Sequence, residues 1–199
     1  MIELNRKTGE TDITLSLELY GKGEHEIETG IGFFDHMLEL WSRHGFFDLK
    51  IKAEGDLSVD KHHTVEDVGI VLGQAINQEL GDRAGIRRYG DVLLPMDEVL
   101  VHCAVDLGGR SYYHGEITTD RQEINGFPVE LFHEFYRGLT NNGNFNLHFV
   151  IHKDGNAHHL LEACFKAWAR AFDRALKPEE RLEDSPLSTK GQLVEGGRH

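Results

Sequence analysis

The chain has 199 residues, 39% of them hydrophobic and 28% charged, and its 34 acidic and 21 basic side chains give a formal charge of −13. That balance argues against a surface that grips nucleic-acid phosphates, and no apolar run approaches the roughly 18–20 residues that a bilayer span needs. The polar opening "MIELNRKTGETD" does not read as a secretory signal, and Cys103 and Cys164 stand outside any Cys-x-x-Cys spacing, so no disulfide framework is expected and a reduced cytoplasm is the default compartment.

In chain order, "TDITLSLELYG" alternates apolar and polar residues as a half-buried strand does, with Ile13, Leu15, Leu17 and Leu19 on one face. "GEHEIETG" reads as a second strand in a hairpin across the Gly21–Gly23 turn. "GFFDHMLELWSRHG" has helical spacing through Phe33 or Phe34, Met37, Leu38 and Trp41, and Gly45 is its expected stop. "FDLKIKAEGD" alternates again. "HHTVEDVGIVLGQAINQELG" then sets Val65, Val68, Leu72, Ile76 and Leu80 on one stripe, with Gly81 ending it.

The second half repeats that order. "VLVHCAVDLGGRSYYHGEI" gives strand, glycine turn and strand, and "PVELFHEFYRGLTNNG" gives a helix opened by Pro128 and closed by Gly143. "FNLHFVIHKDG" alternates, and "HHLLEACFKAWARAFDRAL" is a long amphipathic helix whose stripe runs through Leu161, Cys164, Trp168, Ala171 or Phe172, and Ala175. "GFFDLKIKAEGD" lies under "GNFNLHFVIHKDG" in this repeat, and two copies are too few for a solenoid. The expected fold is α+β and internally duplicated, each half running β-β-α-β-α, with the helices packed together on one side of the sheets. One domain over residues 1–191 is expected, made of repeats at about 1–92 and 93–186, with a polar tail at 192–199.

The 13 histidines are the anomaly, because histidine is the commonest transition-metal ligand. His62-His63-x-x-Glu66 and His158-His159-x-x-Glu162 repeat one motif 96 positions apart. Neighbours on a helix point about 100° apart, so two adjacent histidines do not aim at one ion. The glutamate, three and four residues on, shares a face with either. The helix before each copy carries one more histidine, His36 and His133, which makes four candidate ligands per half. Imidazole and carboxylate together suit Mn, Fe, Co, Ni or Zn; the absence of thiolates removes the usual structural-zinc reading, and Mg or Ca would want more oxygens. Solvated surface histidines would explain one copy of the motif but not its recurrence. The zinc-protease order His-Glu-x-x-His is absent, and Cys164 reads as core.

Arginines beside glycines in "GIRRYG" (Gly85–Gly90) and "DLGGRSY" (Asp106–Tyr112), and the hydroxyls, ammonium and backbone N–H groups of "LSTKG" (Leu187–Gly191), suit an anionic, phosphorylated ligand. Singly, each reads more readily as a solvated charge or a loose tail.

The blocks "ETDI", "DHML", "HHTVEDVGI", "RRYG", "PMDE", "DLGGR" and "STKG", in this order over roughly Arg6 to Gly191, resemble the imidazoleglycerol-phosphate dehydratase family. The resemblance implies a lyase of histidine biosynthesis that converts imidazole glycerol phosphate to imidazole acetol phosphate. It also implies two Mn2+ ions per active site and a homo-oligomeric shell of 24 subunits with active sites between them. The chain is too short for the fused phosphatase of some relatives, which implies a monofunctional form. Carried over, the metal ligands would be His36, His62, His63, Glu66, His133, His158, His159 and Glu162. Arg88, Arg110, Ser188 and Lys190 would bind substrate, chiefly its phosphate, with His44 helping, and Glu10 would be the acid–base carboxylate. Many relatives have Glu-His-Phe where this chain has His133-Glu134-Phe135, so either the helix aims His133 at the metal or Glu134 replaces it; His133 is the choice here.

That chemistry would explain the doubled motif. A metal on each ring nitrogen would hold the imidazole as imidazolate. The ring would then expel hydroxide to form a diazafulvene, whose neighbouring C–H becomes acidic enough for a carboxylate to remove. A dinuclear phosphohydrolase is the rival enzyme reading, though it would favour aspartate bridges. A metal-storage protein would explain the histidines but not Arg88, Arg110 or the "STKG" block.

Overall fold

Ile13, Leu15 and Leu17 share the buried face of one strand, as a period of two requires. The computed structural model describes residues 1–182, 185–191 and 193. The first half runs β1 (Ile2–Lys7), β2 (Thr11–Glu18), β3 (His25–Glu28), α1 (Gly32–Gly45), β4 (Asp48–Gly55) and α2 (His62–Leu80). The second runs β5 (Tyr89–Met96), β6 (Val99–Asp106), β7 (Tyr112–Gly115), α3 (Leu131–Gly143), β10 (Asn146–Lys153) and α4 (Ala157–Leu176). A two-stranded pair, β8 (Glu123–Ile124) and β9 (Phe127–Pro128), interrupts it before α3.

The sheets have matching orders, β1-β2-β4-β3 and β5-β6-β10-β7, which is the expected duplication expressed as topology. Each half holds the expected β-β-α-β-α run, preceded by one further strand, β1 or β5. The boundary expected at 92/93 falls inside β5, so the second half begins after α2. Of the expected tail at 192–199, all but residue 193 lies outside the described residues.

The hairpin expected across Gly21–Gly23 is not formed. The chain does reverse there, but β4 inserts between the two strands: β2 pairs antiparallel with β4, and β3 runs parallel to β4 on its other edge. Asp48, at the start of β4, accepts hydrogen bonds from Lys22 N at 2.7 Å and Glu24 N at 2.9 Å, so the turn is fastened to a strand that arrives later in the chain. Two local signals also shift. Helices α1 and α3 do end at Gly45 and Gly143 as expected, but the left-handed turn that stops each is made by the next residue, Phe46 (φ 61°) or Asn144 (φ 51°). Pro128 sits in β9 rather than opening α3.

Each helix packs on its own sheet and on a helix of the other half, α1 on α4 and α2 on α3, so the helices form the inner layers and the sheets the outer ones. Gly69 and Gly73 let α2 reach the backbone of α3: a side chain at either would strike the carbonyl of Phe135 or Leu139. The expected stripes are the core. Val65, Val68, Leu72 and Ile76 of α2 are buried, as are Leu161, Cys164, Trp168, Ala171, Phe172 and Ala175 of α4, while Leu80 is partly exposed. Both cysteines are free and buried.

Candidate active site

Asn156 caps α4 by accepting a hydrogen bond from His158 N at 2.9 Å, and this fixes where the His-His-x-x-Glu motif meets its helix. His158 and Glu162 then stack one turn apart, with Nε2 to Oε2 at 3.1 Å. His36 approaches the same Oε2 from α1 at 3.7 Å. One ligand atom from each of the three lies within 4.8 Å of the others, so residues from both halves make one donor cluster. Burial pushes the Glu162 carboxyl up, but Lys166 (2.5 Å) and His158 outweigh it and hold the group below its ordinary range.

The first-half copy is less complete. On α2, His62 Nε2 lies 3.6 Å from Glu66 Oε2. The expected third member, His133, instead places Nδ1 3.0 Å from the Tyr113 hydroxyl, and burial lowers its pKa. Glu134 pairs with Arg137 at 2.6 Å. Among the described residues, no three-donor cluster forms around His62, Glu66 and His133 in one chain.

The second histidine of each motif points elsewhere, as the helical period requires: the ring planes of His62 and His63 differ by 81°, and those of His158 and His159 by 86°. His63 Nδ1 lies 3.0 and 3.2 Å from the two Asp56 oxygens, while its Nε2 is 3.7 Å from Glu10 Oε1. His159 Nδ1 lies 3.1 and 3.3 Å from the two Glu98 oxygens.

Glu10 owes its place to the β1–β2 turn. Thr8 Oγ1 accepts from Glu10 N (3.1 Å) and Thr11 N (3.0 Å). Thr11 Oγ1 donates to Asp67 Oδ2 at 2.5 Å, and Arg6 donates to Asp67 Oδ1 through Nη2 at 2.8 Å. The buried Asp67 thus ties the turn to α2. Sequence reasoning passed over Asp67, Asp56 and Glu98. Only Asp67 left a signal, a carboxylate at a buried position of an amphipathic helix.

Arg88, Arg110, Ser188 and Lys190 do come together, around a cleft of about 1320 Å3 that also borders the backbone of Gly108 and Gly109. Asp106 engages Arg88 at Nε (2.7 Å) and Nη2 (3.1 Å), and Arg88 Nη1 donates to Leu187 O at 2.7 Å. Arg88 therefore frames the cleft, and Arg110 and Lys190 supply its positive charge. His44 does not line it: it ends α1, where burial, then Lys166 and Arg170, lower its pKa.

Cleft and clusters sit apart within one chain. Arg88 N donates to Ala175 O at 3.0 Å, near the end of α4 opposite His158. At 1.5 Å per residue those ends are about 25 Å apart. No helix among the described residues is long and apolar enough to cross a membrane.

Residues 29–172 match the family model described as imidazoleglycerol-phosphate dehydratase. The chain is 51% identical over 191 residues to the imidazoleglycerol-phosphate dehydratase of Acetivibrio thermocellus, covering 96% of this chain and 97% of that one. It is 52% identical over 190 residues to that of Citrifermentans bemidjiense, with the same coverage. The crystal structure of the Staphylococcus aureus enzyme superposes with a TM-score of 0.79 at 34% identity, over 90% of this chain and all of that one. The Pyrococcus furiosus structure, in complex with (S)-C348, gives 0.79 at 35% identity over 94% and 99%.

Proposed function

The chain belongs to the imidazoleglycerol-phosphate dehydratase family, hydro-lyases of histidine biosynthesis, and we propose that it dehydrates imidazole glycerol phosphate to imidazole acetol phosphate at a site built on two divalent metal ions, manganese first among them. The observation that carries the reading is the Glu10 carboxylate, which stands 3.7 Å from Nε2 of His63, a candidate ligand.

The donor set fits such ions. His36, His158 and Glu162 converge from two helices, and they offer the imidazole and carboxylate donors that suit manganese and its neighbours. No thiolate competes, because burial pushes both cysteine thiols up. His62, His63, Glu66 and His159 complete the set, with His133 or Glu134 of α3 as the eighth ligand. Two bound ions would supply the Lewis-acid charge that keeps the substrate's imidazole ring in its anionic form.

Glu10 moves the proton. Once hydroxide leaves the carbon beside the ring and the side chain becomes a diazafulvene-like electrophile, Glu10 takes the acidified C–H proton from the next carbon. It returns that proton to the carbon beside the ring as the enol relaxes to the ketone, and the proton shed by the enol hydroxyl neutralises the departed hydroxide, so the net loss is one water. Arg110, Lys190 and Ser188 hold the phosphate and orient the reacting carbons, with Arg88 and Asp106 bracing the cleft.

A small substrate does not bridge the roughly 25 Å along α4 that separates cleft from clusters. The cleft of one subunit therefore meets the clusters of another, in a homo-oligomer such as the 24-subunit shell of the family. A cytoplasmic setting suits two free, buried cysteines.

The test is an assay of chelator-stripped protein on imidazole glycerol phosphate, with and without added manganese, following ketone and inorganic phosphate together. Manganese-dependent ketone is expected. Phosphate release without ketone would replace the reading with a phosphohydrolase.

A further inference from the structure

Resting on that metal reading, we propose that Asp56 and Glu98 are positioning residues that hold His63 and His159 in the Nδ1–H tautomer and so aim each Nε2 at a metal ion, which leaves Glu10 alone of the three carboxylates free for proton transfer. A carboxylate only accepts hydrogen bonds. An imidazole nitrogen within hydrogen-bond reach of both its oxygens therefore carries the proton, and the lone pair is left on the other nitrogen. Both Nδ1 atoms meet this condition, His63 at 3.0 and 3.2 Å from Asp56 and His159 at 3.1 and 3.3 Å from Glu98.

The two orienting carboxylates come from different places in the repeat, and this separates their role from simple symmetry. Asp56 follows β4. Glu98 precedes β6, just as Glu10 precedes β2, so Glu98 and Glu10 are equivalent positions in the two halves. Their fates differ. In the second half the residue that follows β10, Asp154, is exposed, and Glu98 takes Nδ1 of His159. Asn156 N donates to Glu98 Oε1 at 2.6 Å, and Gly155 leaves the room, since a side chain there would collide with Glu98 Cγ. In the first half Asp56 already occupies Nδ1 of His63, and the turn carboxylate is displaced to the Nε2 side, where Glu10 stands 3.7 Å away. One position of the duplicated unit has become a fixed acceptor in one copy and a free acid–base group in the other.

The test uses the full chain, stripped with chelator and reloaded with Mn2+. Affinity and stoichiometry are read by competition with a chelator, and Tm is read on the stripped protein. Asp56→Ala and Glu98→Ala should each weaken manganese binding about 10- to 100-fold, measured well below the stripped protein's Tm, which falls in Glu98→Ala because Asn156 N loses its acceptor. Asp56→Asn and Glu98→Gln keep an acceptor oxygen and should recover most of the loss. Glu10→Gln should abolish turnover and leave affinity as it was. Wild-type affinity in both alanine variants overturns the positioning role while the metal reading stands. So does a loss in the amide variants as large as in the alanine ones at native Tm. A wild-type chain that binds no manganese overturns both.

Discussion

Trp41 of α1 stacks on Trp168 of α4, with ring centroids 4.6 Å apart and planes within 20°. Both rings are fully buried, and they join the two halves along the helix pair that carries His36 and Glu162. The indole stack thus sets how α1 lies on α4, and with it whether the histidine of one half reaches the carboxylate of the other. Trp168→Ala should cost about 3–5 kcal/mol by opening a cavity in that seam, and should weaken manganese binding more than Phe172→Leu does. Denaturant unfolding and metal titration of the two variants check this; equal metal affinity would detach the cluster from the stack.

Asp67 joins the β1–β2 turn, which carries Glu10, to α2, which carries His62, His63 and Glu66. Without it, the Thr11 hydroxyl and the Arg6 guanidinium lose a charged acceptor. Asp67→Ala should destabilise the protein by about 2–3 kcal/mol. Because Glu10 then loses its placement, kcat should fall while KM stays within a few-fold. Steady-state kinetics below the variant's unfolding transition decide it: a rise in KM alone would assign Asp67 to substrate binding.

The fold and the site were legible in the sequence to different depths. Stripes such as Val65, Val68, Leu72 and Ile76 announced their helices because one face is wholly buried and the period survives any detail of packing. The histidine motif was legible because its geometry is internal to one helix. The outer strands β1 and β5 escaped notice because few of their residues are fully buried, so the alternation has little contrast. The sequence marks β3 as a strand but not its neighbour, since its partner β4 arrives after an intervening helix. Asp56, Asp67 and Glu98 take their meaning from contacts with residues distant in the fold. Spacing alone does not reveal such contacts.

Asp48 gives the first sheet a pH-dependent fastening. Burial pushes its carboxyl up, but the backbone N–H groups of Lys22, Glu24 and Gly23 outweigh it and hold its pKa below the ordinary value. A depressed folded pKa means the charged group's contribution is present above the unfolded value of about 3.9 and fades as pH falls through the folded one. Asp48→Asn should therefore lower the urea midpoint at pH 7, and the gap from wild type should narrow by pH 3. A gap independent of pH would mean that shape rather than charge holds the turn.

A substitution at Arg110 tests the proposed substrate cleft separately from the proposed metal site. Arg110 lines the cleft, while the donor cluster of His36, His158 and Glu162 lies at the other end of α4. Arg110→Ala should leave manganese content at the wild-type level and reduce kcat/KM on imidazole glycerol phosphate by about 10- to 100-fold, the scale of one charge-assisted phosphate contact. Loss of metal together with activity would show that the cleft supports the clusters through the fold.

The separation along α4 also makes a prediction about mixtures. If the clusters of one subunit work with the cleft of another, Glu162→Ala and Arg110→Ala chains are each impaired for a reason the other lacks. An Arg110→Ala chain still carries an intact cluster, and a Glu162→Ala chain still carries an intact cleft. Co-assembled in equal amounts, they should form complete sites wherever the first meets the second in the right order, about a quarter of all sites if two subunits contribute to each. Activity well above the sum of the separate variants is the expected result, measured after the mixed oligomer is purified through different tags. If one chain supplied both parts, every subunit in the mixture would carry a broken site, and the mixture would stay as impaired as its components.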